Sequence, residues 1–233
     1  MTVPAVVGTG SGAASRPDLD RKDTMTSFAL VRHGETDWNR DRRIQGSTDI
    51  PLNDTGREQA AAAGELLRGR QWSRIIASPL SRAAETAAII AERVGMPGPE
   101  LDGAFVERNY GEAEGCTGAE LDARFPEGTD VPGRETREAV AVRVIAGLLR
   151  VAAEHPGEAI IVVCHGGVIR SVLESVAPGR HREPITNGSV HSFLHADGDL
   201  QVVAFDDPLD EASIFPLAED FEQQNPLADR ERA

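Results

Sequence analysis

Cysteine is scarce in this 233-residue chain. Its two cysteines, Cys116 and Cys164, are too few for a disulfide framework and read as reduced thiols. Aromatic residues make up only 4% against 40% hydrophobic residues overall, so the core must be built mainly from Ala, Val, Leu and Ile. No apolar run reaches membrane-spanning length and no secretory signal is visible, which points to a cytoplasmic protein without a membrane partner. Basic residues are outnumbered, giving a formal net charge of -14. An acidic surface repels nucleic acid and anionic membranes, and both are excluded as expected partners. It also repels small anions at long range, so any anion-binding pocket must concentrate its arginines locally. The length suits one large α/β domain with a single substantial core.

Along the chain, strands alternate with helices. Residues 1–25 are rich in Gly, Ser, Ala, Thr and Pro without periodicity and read as a disordered extension, with Met25 a candidate start of translation. Residues 208–233 read as an acidic tail whose Phe215, Leu217 and Phe221 are candidates to dock on the domain between, 26–207. Within that domain Phe28–Val31 reads as a strand, and Asn53 as the N-cap of a helix reaching Leu67. Ile75–Ala77 is a second strand. Ser78-Pro79 pairs an N-cap with proline at the first helical position, opening a helix to Val94. A modest helix covers Gly118–Phe125 and a long one Glu135–Glu154, with Val140, Val144, Leu148 and Val151 on one face. Ile160–Val163 is apolar throughout, as a central strand covered on both faces requires. Gly166-Gly167 opens a helix to Val176, and strands Val190–Leu194 and Leu200–Phe205 complete the sheet. This alternation predicts a three-layer α/β/α sandwich with a mostly parallel central sheet and ligand sites at the carboxyl ends of its strands.

The stretch Leu30-Val31-Arg32-His33-Gly34-Glu35-Thr36 places an arginine beside a histidine where the first strand gives way to glycine. Arginine is permanently charged and its planar fork matches phosphate oxygens. Imidazole, with an ordinary pKa near 6.5, can attack as a neutral base and carry a phosphoryl group. Arg82 falls in the first turn of the helix after the second strand, and His165 follows Ile160–Val163 directly before a helix N-terminus. Read singly, Arg82 is a solvated helix arginine and His165 a strand-end histidine bonded to backbone. Together with His33 they come off one sheet edge, where two helix starts also direct N–H groups toward an anion.

Five blocks then carry a family resemblance. They are Leu30–Thr36, Asp49–Gly56, Ser78–Ala87, Glu107-Arg108-Asn109-Tyr110-Gly111 with Glu114-Gly115, and Val163-Cys164-His165-Gly166-Gly167. In this order they resemble the histidine phosphatase superfamily, in its phosphoglycerate mutase-like branch, and span roughly Phe28 to Phe205. The resemblance implies a phosphoglycerate mutase-like fold and a metal-independent phosphatase without a cofactor, acting on a small phosphorylated metabolite. It implies His33 as nucleophile, and Arg32, Arg82 and a protonated His165 as holders of the phosphoryl oxygens. Glu107 would be general acid, then base. Sequence alone would not have selected Glu107 among so many carboxylates. Asn39, Gln45, Gly46, Arg108, Asn109, Tyr110, Gly166 and Gly167 align with substrate-contacting positions, while Glu35 and Thr36 help set the pocket's hydrogen bonds.

Two alternatives stay open. A 2,3-bisphosphoglycerate-dependent mutase shares the pocket, but in such enzymes an insertion and extra basic residues separate the acid from the second histidine. Here Glu107–His165 lacks lysine and has only one modest helix, a loop and a long helix. A non-catalytic phospho-ligand binder would be marked by loss of His33, Glu107 or an arginine, and none is lost. Neither the substrate nor the choice between monomer and homodimer can be read from the chain. His191 and His195 share a strand face, but nothing nearby completes a metal site, so they read as structural or solvent-facing.

Overall fold

The computed structural model describes residues 25–207, so the expectations for the two ends, including docking by Phe215, Leu217 and Phe221, lie outside the described residues. Six strands form one sheet: β1 (Thr26–Arg32), β2 (Arg74–Ala77), β3 (Glu100–Leu101), β4 (Ala159–Cys164), β5 (Val190–Ala196) and β6 (Asp199–Ala204). Their spatial order is β3-β2-β4-β1-β5-β6. The first four run parallel, and β5 and β6 add antiparallel at one edge. Helices are α1 (Asp37–Arg40), α2 (Asp54–Leu67), α3 (Ser81–Val94), α4 (Gly118–Arg124), α5 (Arg137–Glu154) and α6 (Gly166–Val176). The predicted α/β sandwich is the observed one.

Side-chain alternation along β1 and β4 builds the three layers. Phe28, Leu30, Ile160 and Val162 pack with Val140, Val144, Leu148 and Val151 of α5 and Val168, Ile169 and Val172 of α6. Ala29, Val31, Ile161 and Val163 face the other way, onto Ala63 and Leu67 of α2 and Ala83, Ala87 and Ile90 of α3. Alanine is frequent on that second face, and α2 and α3 pack closely against each other there. A third, smaller cluster (Ile44, Tyr110, Ala113, Cys116, Leu121 and Val131) sits in the segments between β3 and α5 and after α1.

The helix starts follow the expected chemistry, with one correction. The Asn53 side chain accepts from Gly56 N–H at 2.8 Å and Thr136 caps α5 by accepting from Ala139 N–H at 3.1 Å. The helix after β2, however, begins at Ser81 with Leu80 as its N-cap, not at Ser78-Pro79. The Ser78 hydroxyl still accepts from Leu80 N–H at 3.3 Å, and it also lies 2.8 Å from His165 Nε2 on the neighbouring strand end.

Strand register aligns the chemistry. Arg32 pairs with Cys164 across β1 and β4, and Ala77 pairs with Val163 across β2 and β4. The residues that follow, His33, Ser78 and His165, therefore emerge side by side at the carboxyl ends of three adjacent parallel strands.

Candidate active site

His33 is buried, with Nδ1 2.6 Å from the Gly34 carbonyl. A carbonyl can only accept, so Nδ1 carries the proton and Nε2 presents a lone pair. That lone pair meets Arg82 Nε–H at 3.3 Å. Burial lowers the His33 pKa well below its ordinary value, and the charges of Arg82 and Arg32 lower it further. A neutral, correctly oriented imidazole is the form a nucleophile needs.

Arg82 is completely buried, which removes the reading of a solvated helix arginine. It donates through one terminal nitrogen to the Thr48 carbonyl at 2.9 Å and through the other to the Gly46 carbonyl at 2.7 Å. Arg32 donates to the Ile185 carbonyl at 2.5 Å, while its Nε is buried without a partner. Burial holds both guanidiniums below their ordinary pKa, Arg32 at about 10. Neither forms an ion pair among the described residues. Their hydrogen-bond partners are neutral, the carbonyls and, for Arg82, His33; Glu107 is the largest opposing charge acting on each, and the two guanidiniums together still favour an anion at this end of the cavity.

His165 is fully buried and stands edge-on to His33, with ring centroids 5.1 Å apart. Its Nδ1 is buried without a partner. Burial, then Arg82, His33, Arg32 and Arg143, push its pKa well below the ordinary value. The protonated His165 implied by the resemblance is thus disfavoured by the protein's own charges.

Glu107 is buried by its backbone anchors: Oε1 accepts from Arg108 N–H at 2.8 Å and Oε2 from Gly167 N–H at 3.1 Å. The latter belongs to the first turn of α6, one of the helix starts expected to favour an anion. Gly167 is needed for this approach, because a Cβ there would lie 2.6 Å from Glu107 Oε1.

These groups open onto a cavity of about 620 Å³ lined by Arg32, His33, Arg82 and Glu107 together with Asn39, Gln45, Gly46, Arg108, Tyr110, Gly166 and Gly167. His165 is not on the lining itself but against His33. Asn109 departs from expectation: it is exposed, lies outside the lining, and its side chain accepts from Gly111 N–H at 2.7 Å. An Asx-type bond to its own backbone holds it away. Asn39 and Gln45 are buried and tied to Thr36, whose hydroxyl lies 3.2 Å from Asn39 Oδ1 and donates to Gln45 Oε1 at 2.9 Å. Glu35 accepts from Asn53 Nδ2 at 2.8 Å.

Several supporting residues carried no assigned role in the sequence reading. Glu114 accepts from Ser47 N–H and Oγ–H, Thr48 N–H and Oγ–H, and Tyr110 N–H. It pins the loop whose Gly46 and Thr48 carbonyls hold Arg82. Gly46 has φ +59, and a Cβ there would strike Glu114 Oε1 at 2.0 Å. Thr86 donates to the Arg82 carbonyl at 2.7 Å and accepts from Gly34 N–H at 3.1 Å. Its place four residues after Arg82, on one helix face, is a signal that could have found it. Asn187 donates to the His33 carbonyl at 2.9 Å from 154 residues away, with no local signature.

His191 is a structural histidine. Nε2 lies 2.9 Å from Ser189 Oγ, Nδ1 accepts from Asp206 N–H at 3.0 Å, and burial lowers its pKa to about 3. Both ring nitrogens are occupied, so no metal pair with His195 forms there. Among the described residues no group of three or more His, Cys, Asp or Glu could hold a metal, and no helix is long and apolar enough to cross a membrane.

Comparison with known proteins agrees with this geometry. The model of the Histidine phosphatase superfamily (branch 1) matches residues 28–208. The uncharacterized phosphatase PhoE of Bacillus subtilis is 43% identical over 155 residues, covering 66% of this chain and 79% of its own. Phosphoglycerate mutase-like protein 4 of Arabidopsis thaliana is 40% identical, covering 79% of this chain and 86% of its own. Among solved structures, mycobacterial glucosyl-3-phosphoglycerate phosphatase in complex with VO3 superposes with a TM-score of 0.66 at 28% identity. That match covers 77% of this chain and 98% of the other.

Proposed function

Because the chain belongs to the histidine phosphatase superfamily, we propose that it is a metal-independent phosphomonoester hydrolase working through a phosphohistidine on His33. The observation that carries this reading is the His33 Nε2 lone pair set 3.3 Å from Arg82 Nε–H, beside Arg32, with both arginines hydrogen-bonded only to neutral groups among the described residues. In the first step Nε2 attacks phosphorus and the P–O bond to the leaving alcohol breaks. Arg32 and Arg82 stabilise the transferring oxygens, and Glu107 gives the alkoxide its proton. In the second step Glu107 takes a proton from water, which attacks phosphorus, and the N–P bond breaks to release phosphate. The arginines supply the positive charge that a metal would otherwise bring.

The leaving group extends outward along α6. Gly167, Arg170, Ser171 and Glu174 line the cavity on one face of that helix, a run of about 10 Å at 1.5 Å per residue. Opposite stand Arg137, Glu138 and Ala141 of α5. The cavity gathers seven arginines against three glutamates in a chain of net charge -14. This favours a polar leaving group bearing its own acid. A phosphorylated hydroxy acid, of the kind named for the glucosyl-3-phosphoglycerate phosphatase, fits that description.

The test is a mass-spectrometric time course with p-nitrophenyl phosphate and, separately, 3-phosphoglycerate plus trace 2,3-bisphosphoglycerate. Phosphate release with a transient mass increase on the His33 peptide is expected. Interconversion of the phosphoglycerates without phosphate release would instead make the protein a mutase. Loss of activity in excess chelator would bring a metal back.

A further inference from the structure

The hydroxyl of Ser78 has no solvent, since Ser78 is completely buried. It accepts from Leu80 N–H at 3.3 Å, and its remaining neighbour is His165 Nε2 at 2.8 Å. A serine hydroxyl must place one hydrogen on an acceptor, and Leu80 N–H offers none. The hydrogen therefore goes to His165 Nε2, which must be the bare nitrogen of the ring. The ring's own proton then sits on Nδ1, the nitrogen that is buried without a partner. A protonated His165 would direct Nε2–H at Ser78 Oγ and strand the hydroxyl hydrogen in the interior.

We propose that His165 serves as a neutral hydrogen-bond donor, through Nδ1–H, to the phosphoryl group carried between His33 and water, and that Ser78 is the positioning residue that fixes this tautomer. The unpartnered Nδ1 of His165 and the unpartnered Nε of Arg32 are two donors left unused by the protein beside His33. A phosphoryl group on His33 Nε2 is the acceptor the proposal assigns to both. Strand register explains why serine occupies this place. Ala77 and Val163 are paired, so the residues one and two steps beyond them, Ser78 and His165, meet at the strand ends. The proposal rests on the phosphohistidine reading for its ligand, but the tautomer is a property of the protein and is measured without turnover.

The experiment is nitrogen NMR of the full chain with 15N-labelled histidine, His165 being assigned by its loss in His165→Asn. One bare nitrogen, Nε2, and one protonated nitrogen, Nδ1, are expected at pH 7. Inorganic phosphate should shift the Nδ1 proton without adding a second proton. A ring protonated on both nitrogens, or bare at Nδ1, overturns the proposal. Ser78→Ala should release the tautomer to a mixture; should that variant fail to fold, the wild-type spectrum still decides.

The kinetic arm follows His33 phosphorylation by p-nitrophenyl phosphate in a single turnover. Asparagine places a neutral N–H where Nδ1 lies and glutamine where Nε2 lies. His165→Asn should stay within about 10-fold of wild type, while His165→Gln and His165→Ala lose about 10²–10³-fold, the scale for removing one preorganised donor. Equal losses in Asn and Gln variants would overturn the proposal. A wild-type chain that shows the expected tautomer yet never phosphorylates His33 would strike the phosphatase reading, and with it the phosphoryl ligand, while the Ser78-fixed tautomer stands.

Discussion

Arginine occurs in two settings in this molecule, and they differ in what the guanidinium is bonded to. On the outer surface Arg57 bridges Asp54 and Glu85, Arg74 bridges Glu100 and Glu158, and Arg150 bridges Asp102 and Glu154. Each of those charges is already balanced by carboxylates and partly exposed to water. On the cavity floor Arg82 and Arg32 are held by the carbonyls of Gly46, Thr48 and Ile185. A carbonyl fixes the orientation of a guanidinium without neutralising it. The floor therefore stores positive charge inside an acidic protein, at the expense of lowered pKa values, and the surface does not. The same residue serves as solubilising cover in one place and as a preorganised anion clamp in the other.

That contrast can be broken at the floor first. Arg82→Met should lower kcat for p-nitrophenyl phosphate by about 10²–10³-fold and also lower Tm, since the Gly46 and Thr48 carbonyls lose their donors. Steady-state rates and a thermal melt check both halves. Glu107→Gln should slow alkyl phosphates about 10²-fold more than p-nitrophenyl phosphate, whose leaving group scarcely needs an acid. Equal losses on both substrates would remove Glu107 as the proton donor.

The buried histidines, two at the floor and one in β5, also give stability a pH dependence. His33, His165 and His191 all have folded pKa values below the unfolded 6.5. The unfolded chain binds more protons between those values, so stability is full above about pH 6.5 and falls as pH drops toward 3. Melts across that range should show Tm falling, with His191→Asn shallower than wild type. Activity should persist at neutral pH, where His33 is uncharged, and decline on the acid side as His33 takes up a proton, well below 6.5.

At the rim the effect should be smallest. Arg182 is exposed and lines the outer cavity. Arg182→Ser should raise KM for a phosphorylated hydroxy acid by about 3–10-fold, with kcat and the p-nitrophenyl phosphate kinetics unchanged, as expected of a screened charge. A fall in kcat would move Arg182 from the rim to the reacting centre.

How much of this was legible beforehand differs residue by residue. The strands of the core, the stripe of α5 and the Asn53 cap follow from local periodicity and capping chemistry, so they were readable. Glu107 became readable only through its surrounding block, because a carboxylate has no periodicity of its own. Asn109 was misplaced by that same block: its neighbours Arg108 and Tyr110 face the cavity, while its own side chain turns back to Gly111 N–H. Ser-Pro before an apolar stripe predicts a helix cap at Ser78; the helix starts three residues later, and the hydroxyl serves both Leu80 N–H and a histidine 87 residues away that no local pattern announces.

The sequence by itself determined the three layers, the order of the chemical blocks along the chain and the pairing of Arg32 with His33, since each depends on contacts within a few residues. Tertiary structure decided the rest: the insertion of β4 between β2 and β1, the carbonyls that hold Arg82, and the reach of Asn187 to the His33 carbonyl. It also decided which nitrogen of each histidine is left bare. A proton's place on an imidazole, or a charge's freedom on a guanidinium, depends on the partners that long-range packing brings within 3 Å, and no local pattern encodes those partners.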